Sequence, residues 1–170
     1  MKKASSLSRR DFLQSSGTLT GVTLLRIGSP ALVAISQSAC TAKEQAAAFK
    51  VLGDRDAADL AAIAARIIPT TDTPGATEAG VIYFFDNALA AEMSGKLDAV
   101  RRGLVDFNAA LQQAHPGTAK FAELSADQQD AFLTSREGGD FFGLIREMTI
   151  FGFFAMSTYG GNKNHIGWDL

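Results

Sequence analysis

Asp140-Phe141-Phe142-Gly143-Leu144-Ile145-Arg146-Glu147-Met148-Thr149-Ile150-Phe151-Gly152-Phe153-Phe154-Ala155-Met156 carries five of the chain's twelve phenylalanines, and Phe132 lies just upstream. Placed on a helical wheel at 100° per residue, Phe141, Leu144, Ile145, Met148, Phe151, Gly152 and Ala155 share one side. Phe142, Ile150, Phe153 and Phe154 point elsewhere, so the half from Met148 to Met156 is apolar nearly all round. A helix of that kind has to be covered on several sides. Other helices of the same chain can supply the cover, or a partner can.

Upstream segments provide several such helices. Leu60, Ile63, Ala64, Ile67 and Ile68 recur at helical spacing and predict a helix that stops before Pro69. The turn-rich run Pro69 to Ala76 follows, and its Thr73-Pro74 pair reads as the N-cap and first position of a second helix carrying Val81, Ile82, Phe84, Phe85, Ala88 and Leu89. A third helix is expected over 96–114, with Leu97, Val100, Leu104, Phe107 and Leu111 on one side, closed by His115-Pro116-Gly117. Ser125-Ala126-Asp127-Gln128 is a capping box that opens a fourth, through about Thr134. Gly138-Gly139-Asp140 introduces the fifth, over 141–158. No strand alternation appears, and the pattern predicts an all-α fold: a small orthogonal helical bundle of about five helices after an N-terminal signal segment.

The division falls at 1–42 and 43–170. Of the chain's 170 residues, the first forty hold five basic side chains (Lys2, Lys3, Arg9, Arg10, Arg26) against Asp11 alone. Residues 41–170 hold 11 bases and 17 acids, a net charge of −6 that would repel a phosphate backbone, so nucleic acid is excluded as the expected partner. Ser8-Arg9-Arg10-Asp11-Phe12-Leu13 matches the twin-arginine export pattern: paired guanidinium groups, then Phe-Leu, then a moderately apolar stretch. That stretch is interrupted by Arg26 and Pro30 and falls short of the roughly 20 apolar residues a permanent span requires. The expected destination is the periplasm. Cys40, the single cysteine, follows Gln37-Ser38-Ala39 in a degraded lipobox; it is either a lipidation site or a residue near a cleavage point such as Ala39 or Ala42.

Catalytic patterns are sparse. There is no Cys-x-x-Cys-His, no nucleotide-binding glycine loop and no Gly-x-Ser-x-Gly turn. Asp54, Asp56 and Asp59 lack the rest of a calcium loop and read as the acidic start of a helix. His115 suits a helix C-terminus, and His165 reads as a loop residue rather than an iron ligand. No catalytic, cofactor-binding or metal residue is assigned to this chain.

Excess lies instead in apolar surface. A domain of about 130 residues buries only about two-thirds of its unfolded surface, and each Phe offers about 150–250 Å². Two or three rings left outward reach the size of patch that marks an interaction site. The expected partner interface therefore draws on Phe142, Phe153 and Phe154 of the last helix. It continues through Tyr159, Gly160, Gly161, Asn162, His165 and Trp168, where aromatic anchors alternate with glycines that permit close backbone approach. A plainer reading of that tail is a glycine C-cap followed by a segment whose Trp168 packs back on the domain.

Four elements of the chain together resemble the small subunit of gluconate 2-dehydrogenase and related flavin-dependent sugar dehydrogenases. They are the signal at Ser8 to Leu13; Ile67-Ile68-Pro69-Thr70 leading into Thr73-Pro74-Gly75-Ala76 and Ala79-Gly80-Val81; Phe85-Asp86; and Thr158-Tyr159-Gly160-Gly161-Asn162 with Gly167-Trp168. The resemblance implies a non-catalytic subunit bound to a larger flavoprotein of the glucose-methanol-choline type that lacks its own signal and is exported with this chain. It further implies FAD in the large subunit only, with electrons passing to a cytochrome c or another periplasmic acceptor. The alternatives from the residues alone are a free-standing periplasmic lipoprotein, resting on Cys40, and a cofactor-binding protein using His165 or the Asp54–Asp59 acids.

Overall fold

A buried carboxylate gathers the chain just ahead of the first helix. The computed structural model describes residues 48–170, of which Phe49–Leu170 form one compact unit. Asp86, almost fully buried, accepts the backbone N–H groups of Lys50 (2.7 Å), Val51 (2.9 Å) and Leu52 (3.1 Å). Three successive amides converging on one carboxylate satisfy both its oxygens, which is the condition for burying such a group. Phe49 stacks on Tyr83 next to this clamp, with ring centroids 5.9 Å apart.

Five α-helices follow: α1 (Asp54–Ile67), α2 (Val81–Ala90), α3 (Leu97–Ala114), α4 (Ala126–Thr134) and α5 (Asp140–Phe154). Short 3-10 turns occur at Ser94–Lys96, Phe121–Glu123, Ser157–Tyr159 and Lys163–Trp168, and no strand occurs among the described residues. The all-α expectation holds. Ser125 caps α4 as its sequence predicts, its hydroxyl accepting from Gln128 N and its own N–H donating to the Gln128 side chain.

Two boundaries differ from the sequence reading. Thr73-Pro74 does not start α2; residues 69–80 form a looped run of turns, and the helix begins at Val81 behind Gly80, whose φ of +66° is left-handed. The run closes on itself through Ala76 N–H donating to Ile68 O (2.9 Å). Glu78 fastens it further, accepting from Gly75 N (2.9 Å) and the Thr70 hydroxyl (2.7 Å). A Cβ on Gly75 would lie 2.6 Å from Ile68 O, so the Pro-Gly-Ala element is a close backbone crossing rather than a helix start. The second difference is at α5, which ends at Phe154 because Ala155 turns extended (ψ 167°).

The centre of the bundle is α5, packed against α1, α2 and α3. Its buried stripe is Ile145, Met148, Thr149, Gly152 and Phe153. Thr149 returns its hydroxyl to Ile145 O (2.7 Å), which removes its polarity from the core. Gly152 lets α2 approach: a Cβ there would meet the Phe84 ring at 2.9 Å. On the α3 side Gly103 plays the same part for Phe141. A second focus surrounds Phe107, whose ring meets Phe121 and Phe132 edge-on at 5.2 and 5.1 Å. Asp59 of α1 is fully buried beneath the Phe121–Glu123 turn and accepts from Ala122 N at 3.0 Å. Arg66 of α1 forms a bidentate pair with Asp130 of α4 at the surface, both contacts 2.6 Å.

Candidate partner-docking surface

Past α5 the chain returns across the helix end, and its small residues dictate how closely. Gly160 adopts φ +100°, and a Cβ there would strike Tyr83 backbone at 2.9 Å. At Gly161 an added Cβ would lie 2.1 Å from Gly152 O, and at Gly167 2.1 Å from Phe153 O. Tail and helix backbones are therefore in direct contact, which only glycine permits. Asn162 fastens the return from inside: fully buried and left-handed (φ 45°), it donates Nδ2 to Ala155 O (2.9 Å) and accepts Gly167 N on Oδ1 (2.8 Å). Trp168 Nε1 donates to Phe154 O at 3.0 Å, and Asn87 Nδ2 of α2 donates to Tyr159 O at 3.2 Å. Carbonyls that a helix leaves open at its C-terminus are thus taken up by tail side chains.

The same return presents a set of large apolar side chains outward. Ile150, Phe151, Phe154, Met156, Tyr159, Trp168 and Leu170 are exposed, the aromatic ones by about half: Phe151 and Phe154 50%, Tyr159 47%, Trp168 52%. Elsewhere among the described residues only Val105, on α3, is a large hydrophobic side chain of comparable exposure. A groove of 420 Å³ runs through the patch, between α2 (Phe84, Ala88) with Met93 beyond it and the α5 end with its extension (Ile150, Phe151, Phe154, Ala155, Met156, Tyr159); Glu92 is its one charged lining residue. His165 stacks on Trp168 at 4.8 Å and holds the indole at the patch edge.

The sequence-expected interface divides accordingly. Phe154, Tyr159, His165 and Trp168 lie on the surface. Gly160 is partly covered, and half-buried Phe142 lies apart from the groove, beside Arg66 and Arg146. Phe153, Gly161 and Asn162 are corrections: Phe153 is 1% exposed and Asn162 0%, and all three build the chain's own interior. Phe151, which the wheel groups on one side with Ile145, Met148 and Gly152, is half exposed while those three are buried. The buried stripe follows 145, 148, 149, 152 and 153, and a wheel apolar on every side cannot show that. A glycine is no signal of that face by itself, since Gly143 of the same helix is exposed with nothing near an added Cβ while Gly152 receives the Phe84 ring.

Other singled-out residues have structural settings. Asp54 and Asp56 occupy the first turn of α1, where carboxylates suit the positive helix end. Asp59 is separated from them by burial, which pushes its carboxyl above the usual range against the pull of the Ala122 N–H; its Oδ2 has no partner among the described residues. His115 is the C-cap of α3, its ring 6.1 Å from Phe132. Among the described residues no group of three or more His, Cys, Asp or Glu is placed to hold a metal, and no helix is long and apolar enough to cross a membrane. The export-signal residues Ser8, Arg9, Arg10, Phe12 and Leu13, and Cys40, lie outside the described residues.

Compared with known proteins, residues 54–170 match a family model described as gluconate 2-dehydrogenase subunit 3. No curated protein and no solved structure matches the chain.

Proposed function

The chain belongs to the gluconate 2-dehydrogenase subunit 3 family and is an accessory subunit of a dehydrogenase complex, and from that membership we propose its specific part. It is the non-catalytic small subunit of a periplasmic FAD-dependent sugar or sugar-acid dehydrogenase of the glucose-methanol-choline type. It supplies the twin-arginine signal at Ser8 to Leu13, carries the folded large flavoprotein through the export system, and stabilises it afterwards. FAD resides in the large subunit, which passes electrons to a cytochrome c or similar acceptor. Membrane association, where it occurs, comes through that partner or through a lipid on Cys40.

One observation carries this reading: the half-exposed Phe151, Phe154, Tyr159 and Trp168 gathered at one end of α5. At about 150–250 Å² per ring, their outward halves amount to roughly 300–500 Å², a large share of the about 800 Å² that each partner contributes to a standard interface. Left in water, such a patch favours association at about 25 cal/mol per Å². The deciding experiment replaces Arg9 and Arg10 by Lys in the native host and follows dehydrogenase activity across the inner membrane. Activity stranded in the cytoplasm supports the escort role; undiminished periplasmic activity overturns it.

A further inference from the structure

We propose that the groove between α2 and the end of α5 receives a segment of the large dehydrogenase subunit that combines apolar side chains with a lysine or arginine; this rests on the accessory-subunit reading above.

The groove's composition selects that occupant. Its floor and walls are Phe, Ile, Met, Ala and Tyr side chains, while Glu92 at the rim is its only formal charge. It runs along α2 from Phe84 to Ala88 and reaches the last turn of α5 at Phe154. The carbonyls at the two helix ends are already taken up, Phe154 O by Trp168, Ala155 O by Asn162 and Ala88 O by the Ala91 and Met93 amides, and neither helix carries a basic residue in its last turn. Glu92 thus carries the charge of an apolar slot whose lining supplies no cation. A purely apolar segment would fill the slot and leave the rim charge uncompensated; a segment with one cation beside its apolar residues satisfies both. The exposed aromatic area also suits a subunit contact, being about half of one side of a standard interface. Trp168, locked to Phe154 O, extends the same face beyond the groove.

The test uses the full chain in its own host, with a benzophenone-bearing photo-crosslinking residue in place of Met156, which is 58% exposed at the groove, or in place of Val105, 68% exposed on α3. Crosslinking from position 156 to a flavoprotein peptide containing apolar residues and a Lys or Arg, at tenfold or greater yield over position 105, is expected. Glu92→Lys and Phe151→Ser, each checked for an unchanged melting curve, should each cut that yield tenfold or more. Crosslinks to a second copy of this chain, or to its own N-terminal segment, overturn the inference. So does a flavoprotein that co-purifies yet crosslinks equally from both positions, a result that leaves the accessory reading standing. If no dehydrogenase co-purifies with the unaltered chain, that reading fails and the groove assignment falls with it.

Discussion

Replacing Asn162 by alanine should undo the tail without unfolding the bundle. Asn162 is fully buried and holds Ala155 O and Gly167 N through two bonds of 2.9 and 2.8 Å. With the tail still docked, two buried backbone groups would be left unpaired at about 1–3 kcal/mol each. Alanine would also have to hold Asn162's left-handed φ of 45°, adding about 1–2 kcal/mol. The total, about 3–8 kcal/mol, is comparable with the about 5–15 kcal/mol that stabilises a whole domain. Releasing the tail is the cheaper outcome. It returns Ala155 O and Gly167 N to water and forfeits the Trp168–Phe154 bond, while Ile145, Met148 and Phe153 remain packed against α1, α2 and α3. Trp168 is the chain's single tryptophan, so its fluorescence reports the tail alone. Acrylamide quenching should rise towards that of a free indole in Asn162→Ala, while far-ultraviolet dichroism keeps its helical shape. Asn162→Gly, which relieves the backbone strain but not the lost bonds, should sit between the two. Unchanged quenching, together with stability within about 0.5 kcal/mol of the parent, would refute the role given to Asn162.

Three further outcomes are expected. Asp86→Ala leaves the amides of Val51 and Leu52 without their acceptor and should cost about 2–4 kcal/mol, read as a lower denaturation midpoint and faster proteolysis before residue 54; parental values would contradict the clamp. Asp59 has its folded-state carboxyl raised by burial, so the native state holds that proton more tightly, and its contribution to stability falls as pH rises from the ordinary Asp value through the raised one. Asp59→Asn should accordingly be at least as stable as the parent at neutral pH, with the gain shrinking as pH falls into the carboxyl range, and a gain that grew instead would reverse the sign. Gly161→Ala drives a methyl to within 2.1 Å of Gly152 O and should weaken tail docking by more than about 1 kcal/mol, measured by the same Trp168 quenching.

Much of the fold is legible in the sequence because four helices announce themselves by local chemistry. Ser125 and Gln128 cap α4 as their spacing dictates, and the apolar stripe Val100, Leu104, Phe107, Leu111 marks the buried face of α3. Where the reading failed, the deciding contact was distant along the chain. Thr73-Pro74 has the chemistry of a helix start, yet Gly75 is needed against the backbone of Ile68 to Thr70 and Glu78 staples the loop, which delays α2 to Val81. Phe151 and Phe153 are equal in hydrophobicity, and only the approach of Phe84 at Gly152 and the return of Gly161 and Gly167 determine which ring is inside. The tail's glycines read as permitting close backbone approach at a partner interface, whereas the backbone they approach is the chain's own, which leaves Tyr159 and Trp168 as the outward groups. Asp86 carried no signal of its clamp, since its three donors are backbone amides 34 to 36 residues away.

In the proposed assembly the aromatic end of α5 is covered by another subunit. Hydroxyl-radical footprinting of Phe151, Phe154, Met156, Tyr159 and Trp168 measures that cover directly, comparing the chain purified alone with the chain in its native dehydrogenase assembly. Strong protection of this set in the assembly, with Val105 on α3 labelled equally in both, is the result predicted. Equal labelling of the whole set in both preparations would contradict it.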